Sequence, residues 1–190
     1  MNNYLEIILF VTVFFIVGSA AYGATVGAPW VPTKREVRKR ALQAVKLKNT
    51  DTIYDLGSGN GSLLFEAARK YPQCRAIGLE LFILPYLYAR LRKSLARKRY
   101  HRVKFLYRDL FLFNISDADV VFVFLMPGCY KRLVKKFRRE LNDHCRVIIE
   151  AWPFADIEPL AVIGKNSDHL PLYLYHGRQF REDKNIKKSG

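Results

Sequence analysis

Cysteine is scarce in this chain: Cys74, Cys129 and Cys145 are odd in number and far apart. That excludes a disulfide framework and a four-cysteine metal site, and leaves small core residues in a reducing compartment. Charge is missing altogether from residues 7–33. The head before that stretch, residues 1–6, holds no basic residue, which a secretory signal peptide needs. Acids are under-represented too, with 17 Asp and Glu against 32 Lys and Arg, for a formal net charge of +15. No internal repeat and no low-complexity segment interrupts the 190 residues, a length that suits one domain and a little more.

What fills the uncharged stretch is apolar. A helix needs about 20 apolar residues to cross a bilayer, and residues 7–26 supply them, with small Gly18, Ser19, Ala20 and Ala21 included. Apolarity on every side argues against a buried helix of a soluble domain. Lys34, Arg35, Arg38, Lys39 and Arg40 follow the stretch and no basic residue precedes it. Positive flanks stay on the cytoplasmic side. The expectation is a single-pass anchor over 1–28 and a domain over 29–177 facing the cytoplasm, or the matrix in an organelle. A basic polar tail over 178–190 completes the chain.

The richest stretch is Asp55-Leu56-Gly57-Ser58-Gly59-Asn60-Gly61. A β-prone rise precedes it and a helix-forming run, 62–70, follows. Glycines in a strand-to-helix turn let a ligand approach the main chain, and the helix aims its first N–H groups at that ligand. A dinucleotide turn would read G-x-G-x-x-G. Here the spacing is G-x-G-x-G, and Asp55 would gain nothing beside a pyrophosphate. A carboxylate at that strand end suits a positive group such as the ammonium of S-adenosylmethionine. A second predicted strand, 75–80, ends in Glu80, an acid able to accept from both ribose hydroxyls. Glu80 alone does not separate the two ligand classes. Asp55 with the glycine spacing favours the methyl donor.

Periodicity predicts alternating elements. Thr33 with Glu36 predicts a capped helix to about residue 45. Strands are expected over 52–56, 75–80, 103–107, 118–124 and 146–150. Helices are expected over 62–70, 84–98 and 127–141. Two last strands, 157–163 and 170–175, flank a polar turn at 164–169. Alternation of this kind implies an α/β, doubly wound, mostly parallel seven-strand sheet with helices on both faces. Asp55, Glu80, Asp109 and Leu125 all fall at carboxyl strand ends, where such sheets bind ligands.

The glycine motif with Gly78-Leu79-Glu80 resembles the class I, seven-strand S-adenosylmethionine methyltransferases. Pro29-Trp30-Val31-Pro32-Thr33, Tyr107-Arg108-Asp109-Leu110-Phe111 and Val121-Phe122-Val123-Phe124-Leu125-Met126-Pro127 narrow the likeness. It is to the membrane-anchored lysine methyltransferases of the ATP synthase c-subunit and the adenine nucleotide translocase, with their prokaryotic relatives. The resemblance covers about residues 29–159. It implies a Rossmann-like methyltransferase fold and S-adenosyl-L-methionine as cofactor. It further implies that Asp55, Gly57, Gly59, Gly61 and Glu80 bind the donor. Asp109 would accept from the adenine amino group, Leu110 would pack on the ring, and Pro32 and Thr33 would close over the cofactor. A turn carboxylate is the alternative role for Asp109. Trp30, Phe124, Leu125, Pro127 and Trp152 are the candidate walls of the acceptor channel. The family often has Asn two residues after the ribose acid, where this chain has Phe82. Asn-Pro-Pro-Tyr is absent after the fourth strand, which weighs against amino-purine and glutamine acceptors. Glu150, His144 and His169 are each conceivable as bases but read as surface or turn residues, so no catalytic base and no metal site is assigned.

The functional expectation is an enzyme that methylates a lysine of a membrane protein. A lipid or small-molecule methyltransferase at the membrane surface is the alternative, and a non-catalytic anchored scaffold is another. The basic excess is clustered at 90–104 and 131–139. It suits anionic lipid headgroups beside an anchor; RNA phosphates are the less favoured partner.

Overall fold

The computed structural model describes residues 2–26, 33–164 and 169–181, with side chains described for all but 2–3, 15–16 and 19–26. Trp30 and Pro32 lie outside the described residues, as does the tail beyond residue 181. Helix α1 is Asn2–Val26. The expected membrane span falls on it. Among the described residues no helix is long and apolar enough to cross a membrane, so the span has no support from the fold.

The domain alternates as expected: α2 Arg35–Ala44, β1 Thr52–Leu56, α3 Ser62–Lys70, β2 Arg75–Glu80, α4 Ile83–Leu95, β3 Val103–Tyr107, β4 Val120–Val123, α5 Tyr130–Glu140, β5 Arg146–Glu150, β6 Ala161–Ile163 and β7 Leu172–His176. The sheet order is β3-β2-β1-β4-β5-β7-β6. Strands β1 to β5 run parallel, and β7 is antiparallel to both β5 and β6. The chain crosses from one side of β1 to the other between β3 and β4, which makes the carboxyl end of β1 the topological switch point.

Side chains alternate across each strand, and they build two cores. Ile53, Ala76, Phe122 and Ile148 pack with Leu42 of α2 and Leu64 of α3. Tyr54, Ile77, Val121 and Ile149 face the opposite way, onto Leu133 and Phe137 of α5. Strands apolar on both faces are those of a sheet covered on both sides. Alternation puts Asp55 on the face of Ile53 and Glu150 on the face of Ile148.

Four local expectations are corrected. Thr33 does not cap α2: Lys34 stands at the cap position with no side-chain bond, and the Thr33 hydroxyl is turned elsewhere. Helix α4 stops at Leu95, short of residue 98. There the chain turns back through Arg99 and Tyr100 N–H bonds to Ala96 O, and Tyr100 packs on Phe65 with ring centroids 4.6 Å apart. The helix expected from 127 opens as a 3-10 turn over Pro127–Cys129 before α5 begins. The tail expected over 178–190 is ordered and partly apolar at its start. Gly177–Phe180 is a 3-10 turn, and Phe180 is buried among Phe137, Phe154 and Tyr175.

Candidate functional site

The turn after β1 is held against β2 by its main chain. Gly57 and Ser58 N–H donate to Leu79 O of β2 at 2.9 and 3.0 Å. Gly57 has φ +84, and a Cβ there would sit 2.9 Å from Leu125 Cδ2. Gly61 has φ +73, and its Cβ would lie 2.3 Å from the Phe105 ring. Both positions therefore exclude a side chain by backbone angle and by space. Asn60 Oδ1 accepts from Ser62 N and Ser62 Oγ at 3.2 and 2.6 Å, tying the turn to the first turn of α3. Ser58 Oγ is buried with no hydrogen-bond partner among the described residues.

Glu80 closes β2 and is buried. Its Oε2 accepts from Gly59 N at 2.6 Å, and its Oε1 from Leu81 N and Phe82 N at 2.8 and 2.7 Å. Phe82 thus contributes its N–H to the acid expected to hold the ribose, at the position where an Asn side chain was the family expectation. Burial raises the Glu80 carboxyl and these three N–H bonds work against it. Asp55 is more extreme. Burial, then Glu80, then Glu150 all push its carboxyl well above the usual carboxylate range.

Glu150 is the residue that sequence reasoning misjudged. It is neither on the surface nor in a turn: it ends β5 and is only 2 % exposed. Burial lifts its carboxyl to about 7, with the Thr33 hydroxyl and the charges of Arg40 and Arg38 pulling the other way. Thr33 Oγ1 donates to Glu150 Oε2 at 3.0 Å, and Arg38 donates to Thr33 O. Thr33, expected to close over the cofactor, is thereby held against the end of β5. The available signal was position: an acid ending an apolar buried strand, as Asp55 nearly ends β1 and Glu80 ends β2. His144 is exposed ahead of β5, at the opposite edge of the sheet; His169 lies in the β6–β7 connection.

Asp109 lies two residues beyond β3, whose Tyr107 is in register with Glu80. Its Oδ1 accepts from Phe111 N at 2.8 Å, so it does organise a turn. Leu110 beside it is buried. On the other flank Phe124 and Trp152 stack, 6.3 Å apart at 22°. Leu125 is buried over Gly57, while Pro127 is exposed. Two further residues were not legible. The Tyr130 hydroxyl lies 3.2 Å from Leu125 O and 3.0 Å from Trp152 O, bridging the ends of β4 and β5. Ala151 holds φ +78, an angle disfavoured for any side chain, and its N–H donates to Pro171 O at 2.9 Å. Strain of this kind persists where surrounding bonds over-determine it, and Trp152 follows it directly in the chain.

Chemically, the carboxyl edge gathers three buried acids, two side-chain-free turn positions and an aromatic stack. Among the described residues no set of His, Cys, Asp and Glu is placed to hold a metal ion. Buried acids raised by burial and by one another are stabilised by a bound organic cation. S-adenosylmethionine carries two positive groups and a ribose, and it fits this donor set. Glu80 retains acceptor capacity for hydroxyls, and the orphaned Ser58 Oγ offers a further polar contact.

Comparisons agree. The family model for the ANTKMT methyltransferase domain matches residues 55–161. A protein-lysine N-methyltransferase of Saccharolobus islandicus is 30% identical, over 77% of this chain and 92% of the relative. The lysine N-methyltransferase of the ATP synthase c-subunit from Homo sapiens is 31% identical, over 80% of this chain and 65% of that protein, so the chain spans about two thirds of the human relative. The crystal structure of an RNA methyltransferase from Salinibacter ruber with S-adenosyl-L-homocysteine is 28% identical, with a TM-score of 0.72 over 77% of this chain and 93% of that one. The glycine turn, the acids around it and these relatives lead to one conclusion: the chain belongs to the ANTKMT methyltransferase family and is an S-adenosylmethionine-dependent methyltransferase.

Proposed function

We propose that this enzyme methylates a lysine side chain of a membrane protein while anchored in the same membrane. The observation that carries the reading is the stacked Phe124–Trp152 pair beside buried Glu150 and Asp55. A lysine can attack only as the neutral amine. Apolar walls disfavour its ammonium by desolvation, and a neighbouring carboxylate takes the proton. Glu150 is the group placed for this. Its raised carboxyl, about 7, makes it a better base than an ordinary glutamate.

When bound, S-adenosylmethionine supplies a methyl group already activated on a sulfonium. The protein's own work is then alignment and proton removal. Asp55 orients the methionine ammonium. Gly57, Gly59 and Gly61 admit the donor to the main chain. Glu80 holds the ribose hydroxyls, and its N–H bonds from Gly59, Leu81 and Phe82 fix its orientation. Asp109 keeps one oxygen for the adenine amino group while the other holds the turn. Leu110 packs on the base, and the Thr33–Glu150 bond holds Thr33 at the end of β5.

The substrate class draws support from three curated relatives, all named for lysine N-methylation, two of them on membrane proteins. The anchor draws support from uncharged residues 7–33 and the basic flank that follows. That flank also orients the domain toward the cytoplasm or matrix. RNA is the second reading, favoured by the Salinibacter ruber structure and by a net charge of +15.

The test is to incubate the full-length protein with radiolabelled methyl donor and membranes of its own source. The products are then separated by organic extraction, nuclease and protease. Label in a protease-sensitive membrane protein, recovered as methyl-lysine and lost with Asp55→Ala, is the expected result. Nuclease-sensitive label would transfer the acceptor to RNA. Label in the organic phase would transfer it to lipid.

A further inference from the structure

Helix α4 is inside out. Its few core contacts come from one side, where Ala89 is buried and Tyr86 and Lys93 are half-covered. The opposite side carries Leu84, Leu87, Tyr88, Leu91 and Leu95, at offsets of 3, 4, 7 and 11 residues from the first. At 3.6 residues per turn these fall on one stripe. All five are between 50 and 80 % exposed. A helix packed on a sheet normally turns its leucines inward and its charges to water. This one does the reverse, and so much contiguous apolar surface marks an interaction face.

The flanks of the stripe say what the face meets. Arg90 and Arg92 stand on either side of it, their guanidinium groups over the Tyr86 and Phe65 rings at 5.7 and 4.4 Å. Arg97, Lys98, Arg99 and Arg102 continue the charge past the helix end, all exposed. Residues 83–104 contain no acid at all. Leucines on one line with cations along both borders are the signature of a helix lying in the plane of an anionic membrane surface. Helix α1, whose Leu5, Leu9 and Phe10 are exposed, contacts α4.

We infer that the outward leucine face of α4 docks into an anionic lipid surface, the basic residues at its border engaging the headgroups. The methyltransferase domain is thus held flat on the bilayer instead of swinging on a single tether. Tyr107 of β3 packs on Tyr86 of α4 with ring centroids 5.5 Å apart, and Glu80 precedes α4 by three residues. Docking α4 therefore sets the height of the donor cleft above the membrane. The inference rests on the membrane reading and is independent of which acceptor is methylated.

The test uses full-length protein with Leu91→Cys carrying an environment-sensitive fluorophore. Native Cys74, Cys129 and Cys145 are buried and resist labelling. The labelled protein is added to phosphatidylcholine vesicles with and without phosphatidylglycerol, some with brominated acyl chains, and donor binding is measured alongside to certify the fold. The expected result is a blue-shifted probe, quenched by bromolipid in anionic vesicles only. Arg97→Gln with Lys98→Gln should shift that docking roughly thirty-fold toward the undocked state. Protein bound to vesicles with a water-exposed, unquenched probe would overturn the inference and leave the anchor standing. Protein that ignores both vesicle types would overturn the anchor as well. A probe already shielded without lipid, with disulfide cross-links between the introduced thiols of two copies of the unlabelled variant, would assign the face to a second copy of the chain and overturn the lipid occupant.

Discussion

At the scale of single residues the site is a problem in buried negative charge. Three carboxyls share one sheet edge, and none has its ordinary acidity. Glu150 ordinarily ionises near 4.5 and here near 7. Below pH 4.5 the folded and unfolded chains both hold that proton, and the buried neutral form is at its most favourable. As pH rises through about 7 the folded chain must release a proton from a buried site, and stability falls. Glu150→Gln should therefore flatten the decline in stability between pH 4.5 and 7.5, measured by urea unfolding at a series of pH values. The same substitution should lower kcat about a hundredfold or more, the usual size of a general-base contribution, while leaving donor affinity within a few-fold. Equal loss in both would reduce Glu150 to a positioning role for Thr33. Asp55→Ala should abolish donor binding in calorimetry without lowering Tm, since it removes a raised, uncompensated acid from the core.

At the scale of elements, the turn and α5 carry most of the risk. Gly61→Ala forces a Cβ into Phe105 at a positive φ, which should cost on the order of 2–4 kcal/mol and displace α3 from the cleft. Helix α5 is tied to the segment after β3 through a buried pair and through Arg132 over the Phe111 ring. Lys136 Nζ donates to Phe113 O and to Glu140, and Glu140 Oε2 also accepts from Ile115 N at 3.2 Å. Burial pushes the Glu140 carboxyl up, but its bonds from Lys136 and Arg139 outweigh that and hold it below the usual range. Lys136→Ala leaves that acid buried and without its lysine, at a cost of about 3 kcal/mol. Because the freed segment follows directly on Asp109 and Leu110, adenosine competition for the donor site should weaken in parallel with the stability loss. Stability lost with adenosine competition unchanged would detach the tie from the adenine site.

At the scale of the whole molecule, binding a cation between raised carboxyls must release protons. Donor affinity should rise with pH, as Asp55, held well above the usual carboxylate range, gives up its proton to meet the donor's ammonium. Calorimetry in buffers of different ionisation enthalpy reads the released protons directly, and zero release would show that the carboxyls are already ionised in the free enzyme. The architecture was largely legible beforehand. Strands at 52–56, 75–80, 103–107 and 146–150 and the helix at 62–70 stand where periodicity placed them, because buried parallel strands and the helices that cover them are written in local apolar pattern. Asp55, Glu80 and the glycines were legible for a similar reason: a strand-to-helix turn is contiguous, so its residues announce one another. Other features depended on contacts far apart in sequence. Glu150 acquires its burial and its Thr33 partner across 117 residues. The Phe124–Trp152 stack sits beside the strained angle at Ala151 and the Tyr130 bridge between two strand ends. The outward leucines of α4 have an ordinary amphipathic spacing, and no pattern of period tells which face of a helix meets the sheet. The elements, the glycine turn and the acids near the ends of β1 and β2 follow from local pattern, because each lies within one contiguous run. Which further acid is buried beside them, and which way α4 faces, come from the assembled fold, because burial is a property of the surroundings.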